Sequence, residues 1–458
     1  KDGKFYHSDK VVDILRESGL DWKWDWNALG DLCQLENLTD NATLHKNIRK
    51  VPAESVLHFH DGKIDLESNS YIDLIPRQKS DPDIALAALN EEIAFWAGDD
   101  PYLSLSGGFD SRAILSSMLK QGIKPHLITT GIDECSDVQV TRRIAETFGL
   151  KHDIITLDLQ DFVANSAEIS ALTNGTKPAC HWHTYLYPLK AKLEKNRTFF
   201  VGTLGEFARS YYFDKGCLAQ FADMFGERAL SLFWKLRLAR HRTFLDNELP
   251  GLSKEFSGQL DTAGTEDRAK QLTRLCNKQF LSGLTRFYFE QRVPNFYANG
   301  IKMYLATSNW RSPYHSRKWI SAIWNLDNHW KLGSNWHRYA IAKNFPQLLD
   351  FPEENGFVQG KMLPKAPLLY WTPFMRQTHY VTYDSSSAWY RDAKVQEFMR
   401  ENVSLISDII DKKTAVSIIE AHRSGIDRTR TLAFLLAMIH WERAVSETTI
   451  AWRRKKGE

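Results

Sequence analysis

The stretch "LSLSGGFDSRAI", Leu103–Ile114, sets serines, two glycines and an aspartate between two apolar runs. "YLSLS" before it has the length and apolar content of a short strand. The residues after it place Ile114, Leu115, Met118 and Leu119 on one face of a helix over Ser111–Gln121. A tight strand-to-helix turn leaves backbone N–H groups without partners at the helix start, and these, with the positive end of the helix dipole, form an anion site. Gly107 and Gly108 allow close backbone approach, and Ser106 and Ser111 offer hydroxyls to phosphate oxygens. Asp110 would repel a phosphate unless Mg²⁺ lies between them. The plainer alternative is a turn with a Ser or Asp helix cap. The surroundings favour the anion site, although the stretch fits neither the Walker A pattern nor GxGxxG.

Those surroundings continue the alternation. "PHLITT" (Pro125–Thr130) reads as a second strand and Asp137–Phe148 as a second helix, with Val140, Ile144, Ala145 and Phe148 on one side and Gly149 ending it. "DIITLD" (Asp153–Asp158) reads as a third strand, and a fourth is expected near Phe199–Gly202. Such a β-α-β-α-β series predicts a parallel sheet covered by helices, with ligands at the carboxyl ends of its strands. Beyond residue 215 the pattern is helical, with breaks expected at "RVPNFYANG", "WRSPYH" and "DFPEENGFVQGKMLPKAP".

"SGGFDSR" resembles the PP-loop (SGGxDS) of the ATP pyrophosphatases, and most closely the synthetase domain of class B asparagine synthetases. A second match follows in order: "SDVQVTRRIAETFGLKH" resembles the family's SD-initiated helix and GxxH turn, here Ser136, Asp137, Ala145, Gly149 and His152. The resemblance implies a doubly wound parallel sheet with a helical C-terminal region. It implies ATP and Mg²⁺ as cofactors, adenylation of a carboxylate with release of pyrophosphate, and amide formation with an amine or ammonia. The nucleotide-binding set it implies is Ser106, Gly107, Gly108, Asp110, Ser111, Thr130, Gly131 and Gly205. Relatives in this class include beta-lactam synthetase and lasso-peptide cyclases, so a macrolactam-forming peptide cyclase is an alternative. A non-catalytic nucleotide-binding homologue is another. Transfer-RNA thiolation, a further PP-loop chemistry, is disfavoured by scattered cysteines and balanced charge.

"VGTLGEFARSYYF" (Val201–Phe213) loosely resembles the family's SGxGxDE segment. That makes Glu206 a second metal carboxylate beside Asp110, and Arg209 a candidate for facing phosphate; an ordinary surface pair of Glu206 and Arg209 is the competing reading. "NWRSPYHSR" (Asn309–Arg317) resembles ExRxPFLD. Arg311 and Pro313 agree with it, Tyr314 replaces a phenylalanine, and Asn309 stands where the family has a glutamate associated with amide formation. An asparagine takes no proton at neutral pH, so the general base is open. The family's late-loop lysine is assigned to Lys361, with Lys365 the other candidate. His337 and Arg338 either line the acceptor pocket or cap a helix. Cys180, His181 and His183 in "CHWHTYLYP" fit no zinc spacing well and are read as substrate contact or packing.

Residues 1–78 are expected to form a partial, β-rich remnant of a glutaminase-like region, and 79–458 the synthetase domain. "ESVLHFHDGKIDLES" alternates around Asp61-Gly62 as a hairpin. The glutaminase half of the family begins with a catalytic cysteine. Here Lys1 comes first and Cys33 lies inside the chain, so no glutamine-derived ammonia is argued, and a missing glutaminase-like segment is a candidate partner.

The whole chain has the composition of a globular protein, with room for two or three domains. Of 458 residues, 43% are hydrophobic and 25% charged, as in ordinary globular domains. The net charge of +3 gives no electrostatic reason to expect nucleic acid or a membrane. No run reaches the roughly 18 apolar residues of a membrane span. The five cysteines are odd in number and far apart, without a CxxC pair, which reads as a reducing, cytoplasmic setting. The partners expected are a small-molecule or peptide carboxylate and an amine donor.

Overall fold

The computed structural model describes residues 4–212, 216–352 and 389–456, with the side chains of 216–223, 225 and 449–456 left aside. Lys361 and Lys365 lie outside the described residues. The strands are β1 (Ser55–His60), β2 (Lys63–Ser68), β3 (Tyr102–Ser104), β4 (His126–Thr130), β5 (His152–Ile155), β6 (Thr198–Phe200) and β7 (Asn309–Arg311). β3 to β7 form one parallel sheet in the order β5-β4-β3-β6-β7. β3 is central, and successive connections wind outward from it in both directions, as the doubly wound reading requires.

Alternation along the short strands feeds two separate cores, because successive side chains of a strand point to opposite faces. Leu103, Leu127 and Phe200 belong to one buried cluster, with residues of the helices Pro82–Trp96, Phe109–Lys120 and Ser136–Phe148. Tyr102, Ile128 and Phe199 belong to the other, with residues of the helices Leu159–Leu172 and His183–Lys190. The central strands are therefore covered on both sides, which is the condition under which parallel sheets occur.

The boundaries differ from the expected ones by a few residues, each for a local reason. The helix expected from Ser111 begins at Phe109, because Gly108 already serves as its cap residue. The third strand stops at Ile155. Asp158 instead caps the next helix, accepting from the backbone of Gln160 and Asp161, while Asp161 accepts from the Asp158 backbone. Gly149 ends its helix at φ +61°, the left-handed position that glycine tolerates best. β7 was not foreseen: three residues are too few for a periodic pattern.

"RVPNFYANG" is not a break. Tyr288–Tyr297 continues the helix Leu281–Phe287 as a π-helix and runs on into the helix Ala298–Thr307. Pro294 lies inside it; i→i+5 winding accommodates the residue that an α-helix interior excludes.

Among the described residues of 1–78 the strands are those of the hairpin, beside the isolated antiparallel bridges Trp24–His45 and Ala42–Arg49. β1 and β2 pair antiparallel, and Asp61 and Gly62 both take positive φ, as a type I′ turn requires. The rest includes the helices Val11–Ser18 and Trp26–Leu35. Val11, Leu15, Ala28, Leu29 and Leu32 share the second cluster with Phe256, Ile418 and Leu432. Among the described residues no helix is long and apolar enough to cross a membrane.

Candidate active site

The strand order reverses between β3 and β6, and ligands of open α/β sheets bind at the carboxyl ends of strands at such a point. The segments leaving these two strands are the loop 106–111 and the segment 201–206. They are packed so closely that only glycine fits between them. A Cβ on Gly205 would lie 2.8 Å from Cβ and Cγ of Asp110, and one on Gly202 would lie 3.2 Å from the Ser111 amide nitrogen. Leu204, at φ +75°, bends the second segment toward the first.

The loop is held from three sides. The Gly107 amide donates to Asp137 Oδ1 at 2.6 Å, and its carbonyl accepts from Arg112 Nη2 at 2.6 Å. Asp137 and Arg112 thus hold one residue through the two peptide groups on either side of its Cα. Burial raises the Asp137 carboxyl above its ordinary value, opposed by the Gly107 amide and by Arg112. Arg112 is fully buried and also donates to the carbonyls of Leu348, Phe351 and Pro352. Ser106 and Ser111 close the turn: the Ser106 amide donates to Ser111 Oγ at 3.1 Å, and the Gly108 amide to Ser106 Oγ at 3.2 Å.

Asp110 stands at the mouth. Its Oδ1 lies 3.0 Å from His337 Nε2 and its Oδ2 3.3 Å from Arg209 Nη2. Burial pushes its carboxyl up, but Arg209 and His337 outweigh burial and hold it below the usual carboxylate range. Its carbonyl accepts from the Tyr314 hydroxyl at 2.6 Å. The tyrosine that replaces the expected phenylalanine therefore supplies a hydrogen bond that positions Asp110.

Glu206 faces the same space in the opposite protonation sense. Burial, and then the negative charge of Asp110, raise its carboxyl above the ordinary value, and Arg209 and Tyr297 oppose them only in part. Tyr297 and Tyr288 donate to its two oxygens at 3.1 and 3.3 Å. Two carboxylates that repel each other fit a divalent cation, and Mg²⁺ is commonly held by one or two carboxylates plus substrate phosphates. Among the described residues no group of three or more His, Cys, Asp or Glu could hold a metal by itself. Asp110 and Glu206 together would suit a divalent cation that takes its remaining ligands from elsewhere.

The other expected residues divide. Thr130 and Gly131 lie at the carboxyl end of β4, where the Thr130 hydroxyl and the Gly131 amide both donate to Ile155 O at 3.1 Å. His152 joins β5 to β4 through the Thr129 hydroxyl at 3.0 Å, and burial lowers its ring to about 4. His337 reaches the site, whereas Arg338 stacks over the Phe109 ring at 4.2 Å. Asn309 opens β7, at the amino end of its strand and away from the loops, and Arg311 stacks over Trp96 at 4.5 Å. His181 pairs with Glu36, and His183 Nδ1 lies 3.2 Å from the Cys180 carbonyl. Sequence reasoning missed Tyr288, Tyr297 and the clamp made by Arg112. Arg112 lay inside the quoted motif, and its burial was the missing signal.

Residues 99–195 match the model of the asparagine synthase family. The match spans β3 to β5, the loop 106–111 and the four α-helices from Phe109–Lys120 to His183–Lys190, and ends before Glu206. No curated protein matches the chain. Over residues 99–195 the chain is thus similar to the asparagine synthase family, and the loop sequence and the doubly wound sheet agree with that similarity.

Proposed function

We propose that the protein is an AMP-forming ligase that activates a carboxylate with ATP and joins the acyl group to an amine or ammonia. The observation that carries this is the convergence of Asp110 and Glu206, from the two strands flanking the switch point, beside a loop whose Gly107 is held at its amide by Asp137 and at its carbonyl by Arg112.

In this reading the loop 106–111 receives the β- and γ-phosphates, with the helix Phe109–Lys120 directing its positive end at them. Thr130 and Gly131 border the nucleoside side. Asp110 and Glu206 would hold Mg²⁺, whose chemistry when bound would be to offset the negative charge of the leaving pyrophosphate. Arg209, already on Asp110, adds a second cation at that place. A substrate carboxylate oxygen attacks the α-phosphorus, the bond to the bridging oxygen breaks, and pyrophosphate departs. The amine then attacks the acyl carbon and AMP leaves.

ATP–pyrophosphate exchange across a panel of amino acids, sugar acids and peptides tests the reading. Asp110→Ala should lower exchange by about 100-fold or more, since it removes a metal carboxylate beside the developing charge. Exchange left unchanged by Asp110→Ala would refute the site assignment. ATP binding without pyrophosphate release, for every acid and amine offered, would favour a non-catalytic homologue.

A further inference from the structure

A cavity of about 740 Å³ lies where the β1–β2 hairpin, the segment 4–11 and the helix Ala298–Thr307 meet. Among its described lining residues are none of the loop 106–111 and not Glu206, so it is separate from the site above. One end of it is apolar. Leu57 and Leu66 pair across β1 and β2, and Ile64 stands two residues before Leu66, so the three share one face of the hairpin. That face lines the cavity together with Val51. It is left uncovered: Val51, Ile64 and Leu66 keep 52%, 60% and 40% of their surface exposed. Neighbouring apolar side chains left in water mark a surface that receives something.

The other end is cationic. Lys50 and Lys302 both line the cavity and both are half-buried. Lys50 is fixed by the chain around it: Arg49 bridges to Ala42, and the Lys50 amide donates to Asn41 O at 2.8 Å. Lys302 is carried by the helix Ala298–Thr307. Among the described residues neither ammonium has an ion-pair or hydrogen-bond partner. Arg49, by contrast, is met by Asp25 at 3.3 Å. Asp9 is the one acid among the described lining residues, and it forms an ion pair with neither lysine. Burial, and then the charge of Lys302, push the Lys50 ammonium down to about 8, so most of it is still protonated at pH 7. Burial also lowers Lys302, with Asp9 opposing it. Two half-buried cations that no carboxylate answers favour an anion between them.

We propose that this cavity binds an amphipathic anion, a carboxylate or phosphate monoester on an apolar chain. Its headgroup lies between Lys50 and Lys302, and its chain runs along Val51, Leu57, Ile64 and Leu66. Both halves of the ligand are needed. A wholly apolar molecule leaves the two ammonium groups unanswered, and an inorganic anion leaves the hairpin face in water. The volume is that of a small-molecule site, for which roughly 300–1,000 Å³ is usual. The proposal does not depend on the ligase reading.

Isothermal titration of the full chain with dodecanoate and with dodecyl phosphate tests it. One molecule per chain is expected, and the tighter of the two identifies the headgroup. Dodecanol, the chain without the charge, and inorganic phosphate, the charge without the chain, should each bind at least ~10-fold more weakly. Lys50→Gln and Lys302→Gln should each weaken binding ~10-fold or more. Neither should lower the melting temperature, because each removes a half-buried charge that has no partner. Ile64→Asn, on the exposed hairpin face, should weaken binding too. Lys46→Gln, an exposed neighbour that does not line the cavity, should leave it unchanged. Acetylation by acetic anhydride, mapped by mass spectrometry, should spare Lys50 and Lys302 when dodecanoate is bound. No binding of either amphiphile, dodecanol binding as tightly as the anions, or an affinity unmoved by both lysine variants in folded protein overturns the proposal.

Discussion

Glu206 carries a conflict between stability and chemistry. Its carboxyl is raised by burial and by the charge of Asp110, so the folded state holds its proton more tightly than the unfolded chain does. A raised group of this kind stabilises the fold at acid pH, and that contribution is lost as pH rises through the folded value. Asp110 has the opposite sign: its lowered value contributes stability above the ordinary carboxylate pKa, lost on acidification. Glu206→Gln keeps the shape and removes the charge. It should raise the melting temperature by a few degrees at pH 8 and by little at pH 5, while lowering Mg²⁺-dependent pyrophosphate exchange by ~100-fold. Melting curves at the two pH values, beside exchange assays, check both halves. A lower melting temperature at pH 8 would mean that Glu206 is satisfied as an anion within the fold.

At the scale of elements, the π-helical Tyr288–Tyr297 segment places two hydroxyls on one carboxylate. Nine residues of α-helix make about 2.5 turns, which would put residues 288 and 297 on opposite faces. The wider i→i+5 winding brings nine residues to roughly two full turns and returns both to one face. Groups behind a metal carboxylate typically alter affinity ~10–100-fold when removed. Tyr297→Phe should therefore raise the Mg²⁺ concentration needed for half-maximal exchange by about that factor, with Tyr288→Phe, whose bond is longer, doing less. Equal Mg²⁺ titrations for Tyr297→Phe and the unaltered protein would refute this. The same segment shows where the sequence stopped being legible. The strand-loop-helix at Leu103–Ile114 could be read because local apolar spacing and turn residues agree there. Pro294 and Gly300, by the same local rules, read as a break. Whether a proline ends a helix or sits in a π-helix depends on what packs around it. His337 and Tyr314 were named from the sequence, but their contacts with Asp110 were hidden, since each meets it only through the tertiary fold, more than two hundred residues along the chain. Glu206 was legible only by its place after the fourth strand.

The molecule as a whole supports the loop through connections of long sequence range. Residues of the N-terminal helices are buried with Phe256, Ile418 and Leu432 on one face of the sheet. On the other face Arg112 joins the loop carbonyl of Gly107 to the carbonyls of Leu348, Phe351 and Pro352. Four carbonyls converge on one guanidinium that is fully buried. A lysine carries the same charge but offers three donors from a single point rather than a planar fork, so it cannot reach them all. Each buried carbonyl left unpaired costs about 1–3 kcal/mol. Arg112→Lys should therefore destabilise the fold by ~2–3 kcal/mol and also weaken ATP binding, because Gly107 loses the restraint on its carbonyl and keeps only that on its amide. Asp110→Ala differs in kind: it removes a metal carboxylate at the mouth and leaves the clamp in place, so the apoprotein should keep most of its stability. Urea unfolding followed by nucleotide titration on both variants separates the two roles. A nucleotide affinity unchanged in Arg112→Lys, despite a lower urea midpoint, would make the clamp a support of the fold alone.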